Sequence, residues 1–248
     1  MAAGGEAHGP LHQFEITRLV PLDLGGVDIS FTNSALWMVI IVAVSTLFFV
    51  IATSRAAIVP GRLQSIAELS YEFVAGLLRD NAGKEGMKYF PFVFTIFIFV
   101  LMANMLGMVP YSFTVTSHLA VTATMSFIII IGITVLGIVK HGFGFFHVFL
   151  PSGVPMWLAP LLIVIEVISY LTRPVSLSVR LFANMMAGHT TLKVFASFVV
   201  GLGVLAGWLP LLFVVALTGL EVLIAFLQAY IFTILTCIYL NDAFHPHH

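Results

Sequence analysis

The 248-residue chain is 60% hydrophobic and only 8% charged, with 23 phenylalanines and a mean hydropathy of +1.10; no soluble domain could cover that much apolar surface. Ten Lys and Arg against eleven Asp and Glu leave neither a basic patch for nucleic acid nor a polyacidic tail. One cysteine, Cys237, excludes a disulfide framework within the chain.

Residues 1–34 are mixed and polar, lack the basic start of a secretory signal, and are read as an extracytoplasmic N-terminal segment. A membrane domain is expected over 35–240 and a short tail over 241–248. Spans of roughly 20 apolar residues begin with one at about 35–53. Glu6, Glu15, Asp23 and Asp28 precede it against Arg18 alone, whereas Arg55 and Arg62 follow closely. The positive-inside rule therefore puts the N-terminus outside and residues 54–88 in the cytoplasm. Over 62–80, Leu63, Ile66, Leu69, Phe73, Val74, Leu77 and Leu78 recur at helical spacing among Glu68, Glu72, Arg79 and Asp80. This predicts an amphipathic helix on the cytoplasmic membrane surface. Spans at about 89–110 and 118–139 form a hairpin around the turn VPYSFTVTSH, and Lys140 closes the second on the inside. A Gly-, Phe- and Pro-rich linker is expected at 141–156.

From about 157 the chain remains apolar yet gains Glu166, Arg173, Arg180, Asn184, His189, Lys193, Glu221 and Gln228. Two long helices are expected, at about 157–190 and 210–240, each longer than a perpendicular span needs. At 100° per residue, positions seven apart nearly eclipse, so Glu166, Arg173 and Arg180 form one stripe with Asn184 a turn beyond. Glu221 and Gln228 form a second stripe, and His189 falls on roughly the opposite face from Arg180. Pro174 removes one helical hydrogen bond beside Arg173. Arg180 is the sharpest signal: guanidinium does not shed its proton, and an arginine at the bilayer centre costs at least about 2.5–3.5 kcal/mol. It needs a counter-charge, water or a function. Glu166 could instead serve only as an ion-pair partner of Arg173, and His189 with Glu221 as a satisfied buried pair. Lys193 is read as snorkelling towards an interface. The tail histidines His245, His247 and His248 read as solvated. No P-loop, HExxH, CxxC or GxSxG occurs, so no metal or cofactor site is expected and nucleotide chemistry is assigned to other chains.

The runs PVSLSVRLFANMMAGH at 174–189 and LEVLIAFLQAYIFTILTCIYL at 220–240, with NMLGMVPYSFT at 104–114, resemble subunit a of the rotary F-type ATP synthases, in the mitochondrial and alphaproteobacterial branch. The resemblance extends over roughly residues 30–240. It implies an all-α membrane protein with one outer transmembrane helix, an amphipathic surface helix, a transmembrane hairpin, and a hairpin of two long, strongly tilted helices facing a c-ring. It implies a non-catalytic, proton-translocating stator subunit in a bacterial inner membrane, with the c-ring, b-type peripheral-stalk subunits and, indirectly, the F1 sector as partners. Arg180 matches the essential arginine that faces the ring carboxylate. Asn184 and Gln228 match polar positions beside it, and Glu166 an acidic position. His189 and Glu221 match two positions that exchange acid and imidazole between branches; the enterobacterial form carries Glu first and His second, and this chain the reverse. Arg173 is a further candidate for the proton path. The rival readings are a secondary transporter or channel with a midplane ionisable site, for which no internal repeat is visible, and a purely structural membrane anchor.

Overall fold

The computed structural model describes residues 16–21, 23–24, 27–28, 30–54, 56–109, 112–142, 145 and 158–244. Glu6, Glu15, Arg55, His147, most of the expected 141–156 linker, and His245, His247 and His248 lie outside these residues.

Two short antiparallel strand pairs precede the helices. Strand β1 (Arg18–Val20) pairs with β4 (Phe31–Thr32), and β2 (Asp23–Leu24) with β3 (Val27–Asp28). The described residues are otherwise mostly helical, as in an all-α membrane protein. The Thr32 hydroxyl accepts from the Ala35 backbone N–H at 3.3 Å and starts α1, Asn33–Thr53. Most of α1 is apolar and only Ser34, Ile41 and Ala52 on it are buried, as suits a helix wrapped in lipid. Helix α2, Arg62–Gly86, outruns the expected 62–80 and bends at Gly83, where φ is 64°. Its apolar residues divide in two. Val74 and Leu78 enter the protein core, while Leu63, Ile66 and Leu69 stay exposed. The helix packs on α3 and α6 through its inner face, with Phe73 against Phe97, Phe226 and Tyr230.

Helix α3, Phe90–Gly107, opens with Pro91 in its first turn, where the missing N–H costs nothing. Helix α4 runs Leu119–His141 and stops at Gly142, which has φ 57° and donates its backbone N–H to the Ile138 carbonyl. Lys140 and His141 in that last turn complement the helix dipole. Between α3 and α4 lies a 3-10 turn, Val115–Ser117, whose residues are buried.

Helix α5, Ala159–Ala206, continues well past residue 190, and Pro174 sits inside it while Gly203 alone leaves helical dihedrals. Glycine is required at the reversal. Gly203 has φ 62°, and a Cβ on Gly207 would lie 2.5 Å from the Gly203 carbonyl oxygen and 2.7 Å from that of Val199. Helix α6, Trp208–Phe244, returns antiparallel and runs four residues beyond the expected 240. Ala225, Ala229, Phe232, Thr233, Thr236, Leu240 and Ala243 turn inward on it at three- and four-residue steps. Without a hydrophobic drive between helices in lipid, such small residues matter because they let backbones approach and gain dispersion contact. The main core joins Val74, Leu78, Val93, Phe97, Val100, Leu177, Leu181 and Phe232 from α2, α3, α5 and α6.

Candidate functional site

Two ends of the bundle differ in chemistry. At one end Lys140 pairs with Glu85, and its ammonium lies 4.4 Å from the centroid of the Phe244 ring. His141 Nε2 donates to the Phe244 carbonyl at 3.0 Å. Arg173 joins this basic end: it donates to Asp242 Oδ2 at 3.2 Å and to Glu166 Oε1 at 3.4 Å. Its guanidinium also lies 5.3 Å from the Tyr170 ring and 5.0 Å from the Tyr239 ring. Two carboxylates and two aromatic faces thus hold Arg173 still.

Arg180 sits about 10 Å further along α5 and is treated differently. It is exposed, and among the described residues no carboxylate pairs with it. Ser176, Ala183 and Ala187 are exposed on either side, so the guanidinium rises from a stripe of small side chains that a neighbouring helix could approach closely.

The other end is rich in hydroxyls. About 13 Å beyond Arg180 along α5, His189 meets the loop between α3 and α4, with its Nε2 3.4 Å from Thr114 Oγ1. His189, Asn184 and Gly188 from α5 and Leu217, Glu221 and Ile224 from α6 line a cavity of about 200 Å³, room for several waters. The Glu221 carboxyl rests against Gly188. Both its oxygens are buried and unpartnered among the described residues, an arrangement that calls for water or a proton. Nearby, Asn104 accepts from Thr116 Oγ1 at 2.9 Å and donates to the Ala225 carbonyl at 3.3 Å, tying the loop to α6.

The structure therefore brings His189, Glu221 and Asn184 around one cavity, and Glu166 and Arg173 into one ion-pair cluster. Arg180 stands between them, and Gln228 is buried on α6. Asp242, Thr114 and Gly188 were not singled out from sequence. Asp242 had a signal, since it continues the seven-residue stripe of Glu221 and Gln228 at twice that spacing. Thr114 and Gly188 had none, because their roles depend on contacts across 75 and 33 residues. Among the described residues no group of three or more His, Cys, Asp or Glu is placed to hold a metal.

Comparison with known proteins agrees over nearly the whole length. Residues 35–241 match the family described as ATP synthase A chain. Three similar proteins, each called ATP synthase subunit a, come from Chelativorans sp. (58% identical over 98% of this chain and all of the relative), Pelagibacter ubique (56%, 98% and all) and Rhodospirillum rubrum (58%, 97% and all). By this match and by its own helices, the chain belongs to the ATP synthase A chain family.

Proposed function

We propose that the chain is the proton-translocating stator subunit in the membrane sector of a rotary ATP synthase, with Arg180 dividing two aqueous half-channels. The observation that carries this is the placing of Arg180: an exposed guanidinium unpaired among the described residues, between a polar cavity at one end and a charged cluster at the other. An isolated carboxylate carried through lipid must be neutral, and it ionises when it meets a fixed positive charge. Arg180 would draw the proton off each ring carboxylate that comes opposite it, and the small side chains around it would let the c-ring pack close. The Glu221 and His189 cavity reloads the carboxylate from the outer side. Glu166 and Arg173 line the release path on the inner side, and Asn184 and Gln228 flank the arginine.

Sidedness follows from charge. Arg62, Arg79, Lys84, Lys88 and Lys140 all fall on segments assigned to the inner side, so the N-terminal segment lies outside and the C-terminus in the cytoplasm. The 45 residues Ala159–Gly203 extend about 68 Å against a hydrocarbon core of about 30 Å, so α5 and α6 lie steeply inclined and follow the ring. Each proton crossing 100 mV releases about 2.3 kcal/mol, so rotation sums several of them for each ATP made on other chains. The b-type stalk subunits hold this stator against the ring, in a bacterial inner membrane.

The test is Arg180→Ala in inverted vesicles containing the whole complex. Expected are intact assembly, loss of ATP-driven acidification and a passive proton leak through the ring. Normal coupled pumping would reduce Arg180 to a packing role and overturn the proposal.

A further inference from the structure

We infer that Thr114 is a positioning residue for His189, holding its imidazole as the neutral tautomer with hydrogen on Nε2 and leaving Nδ1 as the ring's acceptor. The inference rests on the proton-path reading above. A threonine hydroxyl has one hydrogen to give and can accept two. Thr114 Oγ1 donates that hydrogen to the Gly107 carbonyl at 3.1 Å, the nearer of its two partners and one that can only accept. Towards His189 Nε2, at 3.4 Å, it then offers only a lone pair. The ring nitrogen must supply the hydrogen.

The threonine is not free to turn away. A Cβ at position 107 would lie 2.9 Å from Thr114 Cγ2 and 3.2 Å from Oγ1, so only glycine admits the hydroxyl to that carbonyl. Ser112 Oγ lies 3.0 Å from the same Gly107 oxygen but only 2.7 Å from the Val109 carbonyl, which takes its one hydrogen and leaves the Gly107 oxygen to Thr114. Ser117 fixes the Thr114 carbonyl through its hydroxyl at 2.6 Å and its backbone N–H at 3.1 Å. Thr116 and Asn104 bind the same loop to α6 through the Ala225 carbonyl. Thr114 is therefore placed relative to α3 and to α6, one of the two helices that build the cavity.

The tautomer decides how protons pass. Among the described residues no group bonds Nδ1, which is left to take a proton from cavity water and form the imidazolium. The Nε2 hydrogen cannot leave through Thr114, whose own hydrogen is committed to the carbonyl. The added proton must depart from Nδ1, through water, to the Glu221 carboxylate, which becomes the neutral acid as the ring returns to its starting state. On α5 the nearest other charged residue in sequence is Lys193, one turn along the helix.

Solid-state nitrogen NMR of histidine-labelled complex in lipid reads the tautomer directly, with the His189 signals assigned by difference against His189→Gln. Expected is a protonated Nε2 and a bare Nδ1 in the neutral ring. Thr114→Val should erase that preference and lower ATP-driven pumping about three- to tenfold, the worth of one hydrogen bond. Thr114→Ser should keep both. A hydrogen on Nδ1 in the unaltered protein, or a Thr114→Val protein indistinguishable in spectrum and pumping, overturns the inference. The expected spectrum with undiminished pumping by His189→Ala would instead uphold the tautomer assignment and sink the proton-path reading.

Discussion

Replacing Gly188 with alanine separates the chemistry of the cavity from its stability. An added Cβ would stand 3.1 Å from the Glu221 carboxyl carbon and 3.3 Å from its Cγ, where carbons prefer about 3.5–4.0 Å. The obstructing atoms belong to the free end of a flexible side chain, so the carboxyl moves, by roughly 0.5–1 Å, and the helices stay. A misplacement of about 1 Å can cost up to a hundredfold in a positioned transfer; for a group that exchanges protons through water we expect about tenfold slower ATP-driven acidification. Alanine in place of glycine within α5 should raise helix stability by up to about 1 kcal/mol. Lower flux with equal or higher thermal resistance of the assembled complex is thus the expected signature. Glu221→Asp withdraws the carboxyl by one methylene, and the pair Gly188→Ala with Glu221→Asp should recover part of the flux lost by the glycine change alone. Unchanged pumping by Gly188→Ala, or a double variant worse than either single one, would refute the steric reasoning.

Two further outcomes follow from the same geometry. Arg173→Gln and Asp242→Asn should be coupled in a double-mutant cycle on unfolding in detergent, by about 0.5–1 kcal/mol because both groups are partly exposed; strict additivity would deny the pair. His118, at the head of α4 and outside its span, has its Nε2 buried and unpartnered among the described residues and is stacked on Phe113 at 4.9 Å. Burial pulls its pKa below the ordinary 6.5, so its contribution is complete above about pH 6.5 and declines as the pH falls below that value. Amide exchange in the loop 112–118 should accelerate on acidification in the unaltered protein and not in His118→Gln, and identical pH profiles would contradict this.

Helical periodicity and apolar length disclosed the spans, because a backbone in lipid must satisfy itself within each segment. Arg180, His189 and Glu221 stood out for a related reason: an ionisable group among so many aliphatic ones is costly and hence conspicuous. Contacts between distant segments were not legible. The approach of Gly107 to Thr114 and of Gly188 to Glu221 involves a glycine, which carries no side chain to signal a need. The sequence reading ends α5 near 190. The helix instead persists to the reversal, since in lipid an unsatisfied backbone is dearer than a glycine in a helix. The short strands before α1 escaped notice because two-residue pairs have no measurable alternation.

The Arg173 cluster bears on how the protein is made. Its two counter-charges are divided, Glu166 on α5 itself and Asp242 on α6, and Gly207 alone separates those helices. An α5 delivered to the bilayer by itself would carry Arg173, Arg180 and Lys193 against a single carboxylate. Delivered together with α6, it enters with Arg173 neutralised from both sides and Glu221 folded against Gly188. The insertion machinery therefore has to handle the pair as one cargo, and a variant that lengthens the Gly203–Gly207 join should first betray itself during biogenesis, before any turnover is measured.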